Sequence, residues 1–396
     1  MRTLVVDTYY PAFLRSQYAA APGLAARPYA EQLQSLIECS FGTSDAYSRH
    51  LRRLGGDAAD VIANCEPLQR RWLAEHGIGR PRGARLADLA PAALAGAAHR
   101  RWLQRALAAQ VADFAPDVLY VQDPWFVDAR TLDLARRGGA MVATQIASPP
   151  PPPARLRHYD LILTSFPHYV ERFRALGLAS EYLRIGFDET VMDRLARRSL
   201  AVAPGAERRF AASFVGGLDP RVHAAGTTVL EHACREADVD VWGYGAAALP
   251  PHSPILRRYH GEAWGLDMYA VLARSRIAIN RHVDAAEGHA NNMRLYEATG
   301  AGALLLTDAG CNLPDLFEPG REVVVYDSAD DLGEKLHHYL GHDDERRLIA
   351  AAGQARTLAE HTYADRIIEL GAILANHLAR RRRASAAPAA LGPSAA

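Results

Sequence analysis

The stretch NNMRLYEATGAGALLLTDAG, residues 291–310, decides the fold. A helix-compatible run carrying Arg294 and Glu297 ends on Gly300 and Gly302, then passes straight into the apolar run ALLLTD. Glycine closes helices because it takes the left-handed backbone at no steric cost. A short apolar run bounded by such a turn reads as a buried strand. Helix, turn and buried strand in succession specify one repeat of a parallel sheet covered by helices. Two readings of Asn291, Arg294 and Glu297 stand open: an ordinary solvated helix face, or one wall of a ligand cleft.

Outward from this unit, apolar runs alternate with helical sequence along the whole chain. RTLVVD (2–7), DAADVIAN (57–64), PDVLYVQ (116–122), AMVATQI (140–146) and YDLILTS (159–165) form one series. RFAASFVGG (209–217), VDVWGYG (239–245), RIAINRH (276–282), GALLLTD (302–308) and EVVVYDS (322–328) form a second. Each series has the pattern of a doubly wound parallel sheet, so the expected class is α/β with two Rossmann-like domains. The length of 396 residues agrees, since domains run to about 100–200 residues. The prolines of SPPPPP (148–153) read as a stiff surface loop within the first domain, because YDLILTS follows at once. The crossing is placed near residue 190. The domains expected are therefore 1–190 and 191–365, followed by a helix over 366–383 and a low-complexity, disordered tail over 384–396. The arginines of ARRRR (379–383) suit a solvated helix C-terminus better than a nucleic-acid or membrane patch.

Composition narrows the function classes. The apolar share is 49%, and no run approaches the about 18 apolar residues of a membrane span. Lys plus Arg (45) equals Asp plus Glu (45), so no global field favours nucleic acid or an anionic bilayer, and any anion must be bound locally. Asp7 interrupts MRTLVVDTYYP too early for a signal peptide. Cys39, Cys65, Cys234 and Cys311 form no CxxC pair, which fits reduced thiols and a cytoplasmic setting. The 16 histidines show no HExxH spacing, and DVD (238–240) opens a strand, so metal independence is the default expectation.

NNMRLYEATGAGALLLTD (291–308), LPDLFEPGREVVVYDSADDLGEKLHHYL (313–340) and ERRLIAAAGQARTLAEHTYADR (345–366) resemble, in this order, the C-terminal half of the glycosyltransferases related to the spore-maturation protein CgeB, a branch of the GT-B enzymes. The resemblance runs from INRH (279–282) to HTYADR (361–366), with weaker echoes in FVGG and WGYG. It implies two facing Rossmann-like domains, the nucleotide-sugar donor held by the second and the acceptor by the first. It implies that Glu297 binds the donor ribose, where a carboxylate can accept two hydrogen bonds from a diol. Related retaining enzymes carry a second Glu eight positions upstream; here His289 stands there, with Glu287 two residues earlier, which leaves the donor sugar unassigned. The resemblance also places the turn with Gly216, Gly217 and Arg221 against the donor phosphates, and carries the closing helix back to the first domain.

Other candidates rest on position. Trp242 and Tyr244 end a strand and stack on the base or fill the core. Asn280, Arg281 and His282 follow a strand at the edge where open α/β sheets bind ligands. His289 meets sugar or phosphate, or lies on an exposed loop; Asn291 and Asn292 are N-cap candidates; Arg294 pairs with Glu297 or with the ligand. For catalysis, Arg221 would steady the departing diphosphate, and Asp7 and Asp123 are candidate bases or mere turn caps. Tyr9 and Tyr10 open the long 9–58 segment, read either as the acceptor wall or as a helical hairpin over the sheet. The function expected is glycosyl transfer, metal-independent and in keeping with retaining branches, from a UDP-, GDP- or dTDP-sugar to a saccharide, protein or small-molecule acceptor. No further cofactor, nucleic acid or membrane partner is expected. A catalytically silent nucleotide- or glycan-binding module and a nucleotide-sugar epimerase are the alternatives.

Overall fold

The protein is described by a computed structural model that covers residues 1–78, 92–203 and 206–386. The first domain holds β1 (Arg2–Asp7), β2 (Asp57–Ile62), β3 (Val118–Val121), β4 (Met141–Ile146), β5 (Leu161–Thr164) and β6 (Ser180–Tyr182). They form one parallel sheet in the order β2-β1-β3-β4-β5-β6. The second domain holds β7 (Phe210–Val215), β8 (Val239–Trp242), β9 (Ser275–Ile279), β10 (Leu304–Asp308) and β11 (Val324–Tyr326), parallel in the order β11-β10-β9-β7-β8. Strands such as Val118–Val121 and Leu161–Thr164 are buried at every position, because helices cover both faces of the sheet.

Strand order reverses between β1 and β3 in one sheet and between β7 and β9 in the other. At such a point neighbouring connections leave to opposite faces, which opens a crevice beyond the strand ends. The two crevices face each other.

The opening stretch forms the helix Met293–Gly300 and strand β10. The Asn292 side chain caps the helix by accepting from the Leu295 N–H at 3.2 Å. At the other end Gly302 takes φ +80°, with Gly302 N–H bonded to Thr299 O and Ala303 N–H to Ala298 O, the Schellman pattern. Gly300 is there for a different reason: a Cβ would stand 2.5 Å from the ring of Phe187. The helix is buried from Leu295 to Gly300, so it is no solvated face.

The chain crosses between domains twice. On the first pass Ile185, Phe187, Val191 and Leu195 join the core of the second domain around Leu266, Tyr269 and Tyr296. On the return, Phe187 N–H donates to His361 O at 2.7 Å and Tyr363 N–H donates to Phe187 O at 2.9 Å, so the two passes are bonded to each other. Gly186 sits at that crossing, where a Cβ would lie 2.8 Å from the Thr362 carbonyl carbon. The helix Tyr363–Ala386 then packs Tyr363, Ile367, Leu370, Leu374 and Leu378 against Val5, Tyr47, Leu51, Met141 and Leu163 of the first domain. It is longer than the sequence suggests: residues 384–386, read as disordered, continue it, because alanine favours helix. Residues 387–396 lie outside the described part. Strand β6 was not read from the sequence.

Candidate functional site

A cleft of about 550 Å³ lies between the two domains, at the strand ends where both sheets reverse order. Its second-domain wall starts where β7 ends in Gly216 and Gly217. The packing there admits no side chain: a Cβ on Gly217 would stand 2.4 Å from the His223 ring, and one on Gly243 would stand 1.9 Å from Gly216 O. The chain then enters the helix Ala224–Glu236, whose N-terminus has no side-chain cap and opens on the cleft through His223, Gly226 and Thr227. Uncapped N–H groups and the positive end of the helix dipole suit an anion. Arg281 adds a full charge there: a Cβ on Gly226 would stand 2.7 Å from its Nη1.

The floor is the helix Met293–Gly300. Arg294 donates through Nη1 to Glu297 Oε2 at 2.7 Å and through Nη2 to Val215 O at 3.0 Å, which ties this helix to the end of β7. Tyr269 adds a longer bond to Glu297 Oε1 at 3.4 Å. Burial pushes the Glu297 carboxyl above the usual carboxylate range, and the Arg294 charge acts against that push. Beside it, the Asn292 amide donates to Asn280 Oδ1 (2.9 Å) and Arg281 O (3.2 Å), fixing the backbone that carries Arg281. His282 holds Asp308 through its N–H (3.0 Å) and Nδ1 (2.7 Å), while its Nε2 is buried without a partner among the described residues. A proton on Nδ1 leaves Nε2 as an acceptor.

The first-domain wall comprises Asp7, Thr8, Tyr10, Phe41, Gly42, Thr43 and Gln122. Asp7 Oδ1 accepts from the Thr8 N–H at 2.7 Å. Asp7 is half-buried, and desolvation pushes the pKa of its carboxyl up to about 7; the Thr8 N–H works against this, and Asp123 and Asp60 reinforce it.

The structure thus gathers Asp7, Tyr10, Gly216, Gly217, Tyr244, Asn280, Arg281, His282, Asn292, Arg294 and Glu297 in one cavity. Six other candidates do not line it. Arg221 is turned outward with 79% of its side chain exposed, held by Asp219 at 2.7 Å. Trp242 packs on Val215 and Val271 and stacks on His260 at 4.5 Å, the core option. Tyr9 is buried with Phe13 and Phe41. Asp123 accepts from Thr8 Oγ1 at 2.7 Å and from the Trp125 N–H at 2.9 Å, which makes it a turn cap behind the wall. His289 stacks on His168 of the first domain at 4.3 Å. Asn291 caps nothing; its Nδ2 reaches Ser165 O at 2.5 Å across the domain boundary.

Residues 225–372 match the family model described as glycosyl transferase-like. No curated protein matches the sequence. The structure is similar to the sucrose-phosphate synthase of Thermosynechococcus elongatus (12% identity, 98% of this chain and 100% of that chain, TM-score 0.56). It is also similar to Anabaena HepE in complex with UDP-glucose (14%, 96% and 100%, 0.54) and to the UDP-forming α,α-trehalose-phosphate synthase of Burkholderia vietnamiensis (11%, 96% and 99%, 0.54). Residues 225–372 thus carry a glycosyl transferase-like domain, and the chain as a whole has the fold of GT-B glycosyltransferases.

Several cleft residues escaped the sequence reading: Thr8, Phe41, Thr43, Gln122, His223, Trp264 and Met268. Only His223 carried a signal, as the last residue before a helix that follows a double-glycine turn. Among the described residues no three His, Cys, Asp or Glu side chains assemble into a metal set, and no helix is long and apolar enough to cross a membrane.

Proposed function

We propose that this chain is a CgeB-like glycosyltransferase, that it holds a nucleotide-sugar donor on its second domain, and that it transfers the sugar to a hydroxyl presented by its first. One observation carries the reading: a buried carboxylate, two arginines and a free helix terminus face Asp7 across a single cavity at both strand-order reversals. Glu297 would take the ribose diol in a fork of two hydrogen bonds. The N-terminus of Ala224–Glu236, with Arg281 above it, would meet the diphosphate, whose charge grows as the glycosyl bond breaks. His282 Nε2 would accept a hydrogen bond from a donor hydroxyl.

Asp7 would receive the acceptor proton. Its carboxyl, pushed up to about 7, is matched to proton transfer near neutral pH. The acceptor oxygen then bonds to the anomeric carbon as the bond to the diphosphate oxygen breaks, which gives inversion, an outcome the sequence left open beside retention.

The test is release of nucleoside diphosphate from UDP-, GDP- and dTDP-glucose with a panel of hydroxyl acceptors, and the anomeric configuration of the product by proton NMR. Absence of both turnover and nucleotide binding refutes the donor site. Turnover with retention refutes the role of Asp7 alone.

A further inference from the structure

The acceptor side of the cleft has a charge and shape of its own. Among the described residues, the two arginines that line the cavity, Arg281 and Arg294, belong to the second domain. The charged group that the described first-domain residues bring to the wall is carboxylic, Asp7, and Asp123 lies behind it at 2.7 Å from Thr8 Oγ1. A phosphate placed there would face Asp7. Like charge set against a ligand is how a site rejects it.

The same wall matches a hydroxyl. With Oδ1 of Asp7 held by the Thr8 N–H, Oδ2 is left to accept. Thr43 donates to Gln122 Oε1 at 2.9 Å, and the Gln122 amide nitrogen is buried without a partner among the described residues. An alcohol donates one hydrogen bond and accepts another, so it answers both groups.

Beside these polar groups stands a cluster of rings drawn from both domains. Tyr10 meets Trp264 at 5.2 Å, Phe41 at 5.5 Å and Tyr244 at 5.8 Å, edge to face in each case. Tyr244 and Trp264 lie 5.6 Å apart and within 14° of parallel. Tyr10 keeps 49% of its surface exposed, so the cluster has a free apolar face. Such faces take flat partners.

We propose that the acceptor is an uncharged, flat-faced hydroxyl compound, a glycoside, and not a phosphorylated sugar. The proposal rests on the division of the cleft into donor and acceptor halves made above. Its carbohydrate ring or its aryl group lies on the Tyr10 cluster, and one hydroxyl sits between Asp7 and Gln122.

The test is calorimetry on the full chain. UDP, GDP and dTDP are titrated first, each alone. Methyl β-glucoside, 4-nitrophenyl β-glucoside and glucose 6-phosphate are then titrated with the best nucleotide at saturation, or without nucleotide if none binds. At least one neutral glycoside should bind ten-fold or more tightly than glucose 6-phosphate, and the contrast between the two glucosides tells whether sugar ring or aryl group occupies the cluster. Tyr10→Ala, at an exposed position, should weaken the preferred glycoside about ten-fold and nucleotide less than two-fold. Asp7→Asn should narrow the preference against glucose 6-phosphate. Equal or tighter binding of glucose 6-phosphate, no binding of either glucoside, or an unchanged glycoside affinity in Tyr10→Ala overturns the proposal. Failure of all three nucleotides to bind overturns the donor assignment instead, so the two failures are distinct.

Discussion

Replacing Glu297 with Gln isolates the ribose contact. The side chain is buried, with 5% of the residue exposed, and its carboxylate is held by Arg294 at 2.7 Å and Tyr269 at 3.4 Å. Gln fills the same volume and its amide oxygen can still accept from Arg294, so the floor of the cleft keeps its shape. What disappears is the charge and one acceptor of the fork offered to the diol. Hydrogen bonds to a charged group contribute about 1.5–3 kcal/mol, which translates to a Kd for the donor raised about 10- to 150-fold. Stability should move the other way or hardly at all. The Glu297 carboxyl is pushed upward in the folded state, so its favourable contribution is complete below the ordinary carboxylate range and is lost as pH rises through the folded value. An uncharged amide escapes that loss at pH 7, although it also gives up the charge of the Arg294 pair. Calorimetric titration of Glu297→Gln with UDP and UDP-glucose, paired with a melting curve of the ligand-free protein, reads both quantities. A Kd within two-fold of the parent, in a protein that melts normally, would refute the ribose assignment.

Four further outcomes are expected. For Asp7→Asn, turnover should drop by about 10²–10⁴ and the parent's rise with pH through about 7 should vanish; because the native carboxyl loses stability as pH climbs through about 7, the variant should melt above the parent at pH 8 and level with it at pH 4, by differential scanning calorimetry. Arg281→Ala should raise the Kd for UDP-glucose at least ten-fold, whereas Arg221→Ala, already committed to Asp219, should leave it within two-fold in the same titration. Leu370→Ala, at a site with 0% exposure under the terminal helix, should cost about 2–5 kcal/mol in urea unfolding. Gly186→Ala forces a methyl to 2.8 Å from the Thr362 carbonyl carbon and should cost about 1–3 kcal/mol, seen as a lower urea midpoint.

Among the described residues, ten of the eleven strands were legible because buried parallel strands are written as short, mainly apolar runs. β6 was not, since Ser180–Tyr182 is three residues of mixed polarity at the sheet edge, paired on one side only. At the site, residues fixed by backbone geometry were readable: Gly216, Gly217 and Asn292 are dictated by a tight approach and a helix cap. Long side chains were not. Arg221 and Arg281 both stand near the double-glycine turn, and sequence spacing favours Arg221; the fold turns Arg221 outward onto Asp219 and brings Arg281 to the cavity wall. Trp242 illustrates the same limit, since an aromatic residue at a strand end has the same sequence signature whether it faces a ligand or the core. The aromatic cluster was hidden altogether, because Tyr10, Phe41, Tyr244 and Trp264 come from distant segments and meet only when the domains do.

The bonded crossing at Phe187 and Thr362 bears on how this chain can be recombined. Its second domain is a continuous insert, but its first is not: the sheet of residues 1–182 is completed by the helix Tyr363–Ala386, which arrives only after the second domain has been made. A ribosome that has released the first half has therefore released a body with the Tyr47, Leu51 and Met141 face still bare. Exchanging donor specificity between such enzymes then means replacing a central cassette with two seams, one before Gly186 and one after Thr362, and both seams must come from the same parent, because each pass is the other's hydrogen-bonding partner.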